Sequence, residues 1–172
     1  MSDEKHQQQT TPQPGRPQMQ NYGIAAGSEG LMTWEWVNNQ MTNSRNYWIC
    51  STRPDGRPHA APVWGVWYEG AFYFGSDRQA RKTRNLIHNP EVVVHLESGD
   101  EAVILEGAVA EVRDPVLLAH IAEAYAAKYP PFRPDPVNEP GAVYFALRPR
   151  TAFAWLENDF PNTATRWRFD SA

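Results

Sequence analysis

The sequence predicts a mainly β fold of the α+β class: a closed barrel of six or seven mostly antiparallel strands with three helices at its periphery. Two observations predict it. Short apolar runs that suit strands follow one another between Tyr47 and Phe169, separated by turns rich in Gly, Pro, Asp and Asn. Three segments with helical spacing interrupt them. With 172 residues, 41% of them hydrophobic, the chain is long enough for one domain with a core.

The N-terminal part of the chain differs in composition from the rest. Residues 1–29 are rich in Gln, Pro, Gly, Ser and Thr and show no apolar periodicity, so we expect a disordered leader. The folded domain is then expected to span residues 30–172. Its first helix covers residues 34–41, with Thr33 as the N-cap and an apolar stripe that closes the barrel as a lid or plug.

The remaining elements follow in order along the chain. Strands are predicted over residues 47–52, 59–68, 72–75, 91–96, 102–112, 142–155 and 163–169. The turn at residues 53–57 contains Pro and Asp-Gly, so it joins the first two strands into a hairpin. A second helix covers about residues 79–88, and a third, capped by Asp114, covers about residues 115–129. Gly107 indicates a bulge in a long strand.

Composition and charge narrow the class of protein. The net charge of −4 argues against general nucleic-acid binding, because duplex binders present a broad basic field. No apolar run approaches the ~20 residues that a membrane-spanning helix needs, and the N-terminus lacks the apolar core of a signal peptide. We therefore expect a cytoplasmic protein with no membrane partner. The single Cys50 forms no internal disulfide, and the five histidines show no metal-ligand spacing, so no metal site is predicted.

Positive charge is concentrated in one short segment, GSDRQARKTRNL at residues 75–86. Arg78, Arg81, Lys82 and Arg84 occupy four of seven consecutive positions there. Like charges this close destabilise an isolated helix, so the cluster is best explained if an anion binds against it. A helix N-terminus offers free N–H groups to the same anion. The pattern predicts a strand, a Gly-Ser turn and a helix that binds a phosphate; the alternative is a solvated basic face.

A second segment of interest covers residues 55–67. The small residues Ala60 and Ala61 let a flat ligand approach the backbone, and Pro62 removes a donor from the sheet, which marks an edge or an opening. Two tryptophans add aromatic surface. The alternative is that these tryptophans only pack in the core and that Pro62 only marks a bulge.

Four motifs carry a resemblance to a known family. They are GRPHAAPVW at residues 56–64, FYFGS at 72–76, RKTRNLIHNP at 81–90 and EGAV at 106–109. Together they resemble the split-barrel flavin and deazaflavin oxidoreductases of the pyridoxamine 5′-phosphate oxidase-like superfamily, over roughly residues 31–169. The RKTRNL and GRPH runs are most similar to the branch that uses coenzyme F420, a deazaflavin with a phosphodiester tail. The resemblance implies an FMN-binding split β-barrel, with F420 as the cofactor and FMN as the alternative.

The resemblance also implies a homodimer whose cofactor sites are built from both chains. Against the cofactor ring it places Ala60, Ala61, Pro62 and Val63. His59 begins that strand, either as a contact to cofactor or substrate or as a structural histidine. Near the phosphate the resemblance places Ser76, Arg81, Lys82, Arg84 and Asn85. Reaching across from the neighbouring chain it places Trp155, Arg166 and Trp167.

The predicted function follows from the resemblance and from two departures. Trp64 stands about where pyridoxamine-phosphate oxidases carry a basic residue, and the C-terminal segment lacks their Arg-x-His, so oxidation of vitamin B6 is not expected. The preferred hypothesis is an oxidoreductase that passes hydride from reduced F420 to a small unsaturated or quinone-like acceptor. An FMN-dependent oxidoreductase and a non-catalytic flavin-binding protein remain alternatives. No catalytic residue is predicted, because the chemistry belongs to the cofactor.

Overall fold

A computed structural model of the protein describes residues 12–169. The strands are β1 (Pro14–Gly15), β2 (Tyr47–Thr52), β3 (Pro58–Val63), β4 (Val66–Tyr68), β5 (Ala71–Asp77), β6 (Glu91–Leu96), β7 (Glu101–Glu111), β8 (Ala142–Leu147), β9 (Thr151–Leu156) and β10 (Thr165–Arg168). The helices are α1 (Trp34–Asn43), α2 (Arg81–His88), α3 (Pro115–Lys128) and α4 (Phe160–Thr163), with a 3-10 turn at Glu157–Asp159. None of these helices is long and apolar enough to cross a membrane.

The strands form one curled antiparallel sheet with the architecture of a split barrel. Its main path runs β1-β10-β9-β7-β6-β2-β3, and a branch runs from β7 through β8 and β5 to β4. The long strand β7 joins the two parts, because it pairs with β9 up to Glu106 and with β8 from Val109 onward. Gly107 lies at this change of partner. Its pairing with Val92 is regular, so the predicted bulge is wrong. A Cβ there would lie 2.9 Å from the Arg148 carbonyl oxygen, which explains the glycine.

The barrel interior is closed by α1. Thr33 caps this helix as predicted, since its Oγ1 accepts a hydrogen bond from the Trp36 N–H at 3.2 Å. Val37 and Met41 are fully buried against the inner faces of the strands. Trp167 of β10 lies in the same core and is also fully buried. The helix therefore acts as the predicted plug.

A second apolar cluster forms where α3 packs on the branch of the sheet. Leu118, Ile121 and Tyr125 bury one face of α3 against residues of β4, β5 and β8. The Asp114 carboxylate caps the helix, accepting from the Val116 N–H at 2.8 Å. The sheet thus has a helix on each side: α1 packs on the core of the barrel, and α3 packs on the second cluster.

Two predicted strands are each divided in the structure, and one helix was not predicted. The strand expected over residues 59–68 breaks at Trp64 and Gly65, and the one expected over 142–155 breaks between β8 and β9. The short helix α4 brings the number of helices described to four rather than three. Thr163 holds it in place, because its hydroxyl donates to the Asp159 carbonyl at 2.8 Å and accepts from the Leu156 N–H at 3.0 Å.

The prediction of a disordered leader is wrong for residues 12–29; residues 1–11 lie outside the described part. β1 pairs with β10, and the Arg16 guanidinium donates to four backbone carbonyls. These belong to Gly27 at 2.9 Å, Glu29 at 2.6 Å, Asn162 at 2.5 Å and Ala164 at 3.2 Å. This polar segment without apolar periodicity thus contacts the fold through the pairing of β1 and through the bonds of Arg16.

Candidate functional site

A cavity of about 350 Å³ lies between the free edge of β3, the end of β5 and the start of α2. Its volume falls within the range of small-molecule sites. Its aromatic wall consists of Trp64, Tyr125, Phe132 and Tyr144. Its ionisable lining residues are Asp77, Lys82 and Glu139. Aromatic surface with a few convergent charges is the usual chemistry of a ligand site.

The edge strand β3 borders this cavity. It pairs only with β2 in the described sheet, which suits Pro62 because an edge strand needs no donor on its free side. Side chains alternate along it, so Ala61 and Val63 face the barrel interior while Ala60 and Pro62 face outward. A flat ring lying along all four residues would therefore contact the backbone at the edge of the strand rather than four side chains. Pro62 and Val63 line the cavity, and Ala60 and Ala61 lie farther along the edge.

The cations of the basic segment have different surroundings. Lys82 is half-buried and lines the cavity, whereas Arg81 and Arg84 are exposed. Arg78 is paired with Glu111 at 2.5 Å. Burial lowers the pKa of the Lys82 ammonium, and the nearby Asp77 carboxylate opposes this shift. The structure thus singles out Lys82 as the cation of the segment that faces the cavity.

The N-terminus of α2 reaches the same cavity. No side chain caps it, because the N-cap residue is Ala80. The first N–H groups of the helix therefore have no side-chain partner, which is the condition for binding an anion. Ser76 lies on the cavity wall, and its Oγ accepts a hydrogen bond from Thr83 at 2.8 Å. Its own hydroxyl hydrogen is then available to a ligand.

A third group of polar atoms lies behind the helix, between α2 and the β2–β3 hairpin. Asn85 is fully buried, and its Nδ2 donates to the Ser51 hydroxyl at 3.1 Å. Asn85 Oδ1, His59 Nδ1 and Arg53 Nε are buried and have no hydrogen-bond partner within residues 12–169. Burial lowers the pKa of His59, and Arg53, Arg81 and Lys82 lower it further. Asn85 thus anchors the helix, and the region holds an excess of positive charge.

The aromatic wall is fixed by the hydroxyl groups of Tyr125 in α3 and of Tyr129, the residue that follows this helix. Tyr125 Oη donates to the Trp64 carbonyl at 2.8 Å and accepts from the Gly75 N–H at 3.1 Å. Tyr129 Oη accepts a hydrogen bond from the Gly65 N–H at 3.0 Å and donates to the Arg45 carbonyl at 2.7 Å. The Trp64 ring stacks on Tyr129 with ring centroids 4.5 Å apart and remains 40% exposed. These bonds hold the break between β3 and β4 open toward the cavity.

The C-terminal residues expected to reach a neighbouring chain lie in two different environments. Trp167 is fully buried in the core of its own chain, with its ring 5.4 Å from that of Trp34, so its assignment to a neighbour's cofactor site is wrong. Strand alternation points it inward, a side that the sequence did not reveal. Arg166 and Trp155 are half-buried. Trp155 packs edge-on against Phe160, and neither residue lines the cavity.

Several cavity residues were not predicted from the sequence. These residues, which come from α3, the loop after it and β8, are distant in sequence from the segments 55–67 and 75–86: Tyr125, Phe132, Glu139 and Tyr144. Tyr125 and Tyr129 stand four residues apart on a predicted helix, a spacing that was available as a signal for a shared helix face. No spacing rule brings Glu139 to Lys82; only the tertiary fold does. Within residues 12–169, no group of three or more His, Cys, Asp or Glu side chains is arranged to hold a metal ion.

With the geometry described, the chain can be assigned to a family. The family model for pyridoxamine 5′-phosphate oxidase matches residues 34–156, which is most of the chain. The protein therefore belongs to this family of split-barrel proteins, which includes oxidoreductases that bind flavin-type cofactors. A comparison with curated proteins gives no match.

Solved structures support the fold. The conserved hypothetical protein Rv2991 from Mycobacterium tuberculosis is 21% identical with a TM-score of 0.66, covering 77% of this chain and 90% of that one. A structure described as an F420 reductase is 21% identical with a TM-score of 0.54, covering 67% and 94%. HutZ, the heme storage protein from Vibrio cholerae, is 15% identical with a TM-score of 0.56, covering 67% and 88%. At these identities the similarity establishes the split-barrel fold alone, and the function has to be inferred from the residues of the site.

Proposed function

We propose that the protein is an oxidoreductase that binds coenzyme F420 along the edge of β3 and transfers hydride to a small unsaturated or quinone-like acceptor. The observation that carries the proposal is the half-buried Lys82 at the uncapped N-terminus of α2, with Ser76 beside it. An ammonium, a hydroxyl and free helix N–H groups together form a binding site for a phosphate. The similarity to an F420 reductase supports the choice of cofactor.

The unpartnered atoms behind α2 fit the same ligand. A buried donor without a partner is costly, so Arg53 Nε favours an anion that approaches from the β2–β3 side. The charges of Arg53, Arg81 and Lys82 each lower the pKa of His59, so all three cations contribute to the positive charge of this region. We assign Arg53, Arg81, Lys82 and Ser76 to the phosphate-binding region and Asn85 to positioning the helix.

The protein's own contribution is binding and orientation. When bound, a deazaflavin supplies a carbon centre that donates or accepts hydride. The edge of β3 orients a flat ring through Pro62 and Val63, and the stacked Trp64 and Tyr129 shield it from water. Holding the tail at Lys82 fixes the ring's distance from this aromatic wall. No side chain of the cavity needs to act as acid or base for this task.

FMN is the second candidate cofactor, and the family match itself favours it. A monophosphate and a phosphodiester are bound by the same cations and N–H groups, so the site's charge does not discriminate between them. A flavin-binding protein without turnover would use the same residues. Binding measurements with both cofactors separate these possibilities.

A homodimer is part of the proposal. Cross-strand register places Trp48, His95, Ile104 and Phe153 in one row across β2, β6, β7 and β9, on the face opposite the core. All four side chains are half-buried, and the row is mainly apolar. An apolar sheet face of this kind is typical of an interface between copies of a chain. A second copy on this face would lie beside the outward residues of β3.

The test is a titration of wild type and Lys82→Ala with F420 and, separately, with FMN at fixed salt. Loss of a hydrogen bond to a charged group costs ~1.5–3 kcal/mol, so we expect cofactor binding to weaken about ten- to hundredfold. The thermal stability of the cofactor-free protein should hold or rise slightly, because one crowded cation is removed.

Arg113→Ala is the matched control. Arg113 is exposed, and its partner Glu111 keeps its bond to Arg78, so this variant should bind both cofactors like wild type. Unchanged affinity of Lys82→Ala for both cofactors would remove the basis of the proposal. Tight binding of FMN alone would replace F420 with FMN.

A further inference from the structure

Gly65, at the break between β3 and β4, is bound through both of its backbone polar groups by residues at the end of α3. Its N–H donates to Tyr129 Oη at 3.0 Å, and its carbonyl accepts from the Lys128 ammonium at 3.1 Å. A Cβ at this position would lie 2.2 Å from the buried Phe72 ring, so glycine is required here. Lys128 and Tyr129 thus fix the course of the chain at the break.

The residue next to this fixed point is Trp64, which forms part of the aromatic wall of the cavity. Its indole stacks on the Tyr129 ring with centroids 4.5 Å apart, and the Arg45 guanidinium lies 5.5 Å from the centroids of both rings. Since the indole is 40% exposed, it is not enclosed by the core. Its position therefore depends on the stacking and on the backbone that carries it.

Lys128 is an unfavourable residue at this place in terms of stability. It is half-buried, and its second hydrogen-bond partner is Tyr47 Oη at 2.5 Å. Its ammonium also lies 4.7 Å from the ring centroid of Tyr47 and 5.5 Å from that of Tyr129. Within residues 12–169, no carboxylate forms an ion pair with it. A cation that is desolvated without a counter-ion indicates a role other than stability.

We propose that Lys128 is a positioning residue for the cavity: by binding the Gly65 carbonyl, its ammonium keeps the Trp64 indole stacked on Tyr129 as a fixed wall for a planar ligand. The inference rests on the proposed function in one respect, that this ligand is the ring of a flavin-type cofactor. Lys128 lies outside the four sequence motifs and does not line the cavity, so neither of these points to it.

The ammonium makes this positioning depend on pH. Burial lowers the pKa of Lys128 to about 8. Burial also raises the pKa of Tyr47 and of Tyr129, so neither phenol loses its proton near pH 8, and the Arg45 guanidinium stays charged. A neutral amine is a weaker donor than an ammonium, so the bond to the backbone carbonyl weakens as the pH rises through 8. The Trp64 indole should then change its surroundings over the same pH range.

The test uses fluorine NMR on the full-length, cofactor-free protein labelled with 5-fluorotryptophan. The chain has seven tryptophans, and the Trp64 resonance is identified by its absence from Trp64→Phe. In wild type this resonance should shift between about pH 6.5 and 9.5 with a midpoint near 8, whereas in Lys128→Met it should stay fixed. Lys128→Arg keeps a charged donor, so its resonance should stay near the low-pH position of wild type. Glu123→Met, an exposed position of the same helix, is the control and should titrate like wild type.

A Trp64 resonance that stays fixed in wild type, or that moves equally in Lys128→Met, would overturn the inference. Binding at neutral pH provides a second readout with F420 and FMN as probes. Lys128→Met should bind the cofactor that wild type binds about three- to tenfold more weakly, with Glu123→Met unchanged. Equal affinity of Lys128→Met and wild type would also overturn the inference. The NMR titration contains no cofactor, so a failure of both cofactors to bind wild type counts against the proposed function, and the Trp64 resonance still decides on Lys128.

Discussion

The half-buried Lys128, at the C-terminal end of α3, makes the stability of the fold depend on pH. Its ammonium donates to Tyr47 Oη at 2.5 Å and to the Gly65 carbonyl at 3.1 Å, with no carboxylate among these partners. Burial lowers the pKa of Lys128 to about 8 from a usual value of 10.5. The unfolded chain therefore binds this proton more tightly than the folded one between about pH 8 and 10.5.

The sign of the resulting pH dependence is definite. Below pH 8 the proton is bound in both states and the burial cost of Lys128 is fully present; above pH 8 the folded state releases the proton and this cost declines. Lys128 thus makes stability rise with pH from about 8 to 9.5, before tyrosines begin to ionise in the unfolded chain. Lys128→Met should flatten this rise relative to wild type in urea unfolding at several pH values. Equal slopes for the two proteins would contradict the assignment.

At the scale of residues, Pro62, Val63 and Lys82 were singled out from the sequence, and all three line the cavity. A proline in a strand and a cluster of like charges are local features, so the sequence shows them directly. The inward orientation of Trp167 and Asn85 was not predicted. Which face of a short element is buried depends on partners elsewhere in the chain, and a strand as short as β10 shows too few alternations to reveal it.

At the scale of elements, strands with clear turn signals were predicted closely. β2 and β6 have the predicted bounds, residues 47–52 and 91–96. The break between β3 and β4 was not predicted, because its cause lies some 60 residues later: the Trp64 carbonyl accepts from Tyr125 and the Gly65 N–H donates to Tyr129. The break between β8 and β9 was not predicted, although Arg148-Pro149-Arg150 is a local turn signal between the two apolar runs.

The N-terminal segment provides the element-scale prediction. Arg16 connects residues 27 and 29 to the chain around α4 through four carbonyls, and these bonds are lost in Arg16→Ala. Bonds from a charged donor at a partly exposed site should together contribute about 1–3 kcal/mol, so we expect the melting temperature to fall by several degrees. Differential scanning calorimetry would measure it, with Gln18→Ala, an exposed residue of the same segment, as the control. Equal melting temperatures for Arg16→Ala and Gln18→Ala would show that the segment adds nothing to stability.

At the scale of the whole molecule, the fold class and the family were predictable because four motifs spread over the barrel point to the same architecture. The cavity was predictable only in part. The lining residues Gly75, Ser76, Asp77 and Lys82 come from one continuous segment, whereas the aromatic residues and Glu139 come from α3, the following loop and β8. Sequence patterns describe residues that are near one another in the chain. They do not predict a cavity wall that three distant segments form together.

The proposed dimer is the largest-scale consequence of the sheet. Its outward row is centred on Ile104, which is half-buried in the isolated chain and flanked by His95 and Phe153 on the neighbouring strands. Placing a carboxylate there would require its desolvation in the interface, which costs several kcal/mol unless it is paired. Light scattering at micromolar concentration should report about twice the 19.5 kDa chain mass for wild type and about one chain mass for Ile104→Glu.

Val116→Glu is the matched control, because Val116 is 64% exposed on α3, away from this face, and this variant should stay dimeric. If each cofactor site is shared between chains, Ile104→Glu also loses F420 affinity while keeping its fold. A monomeric wild type that binds F420 tightly would confine the site to a single chain.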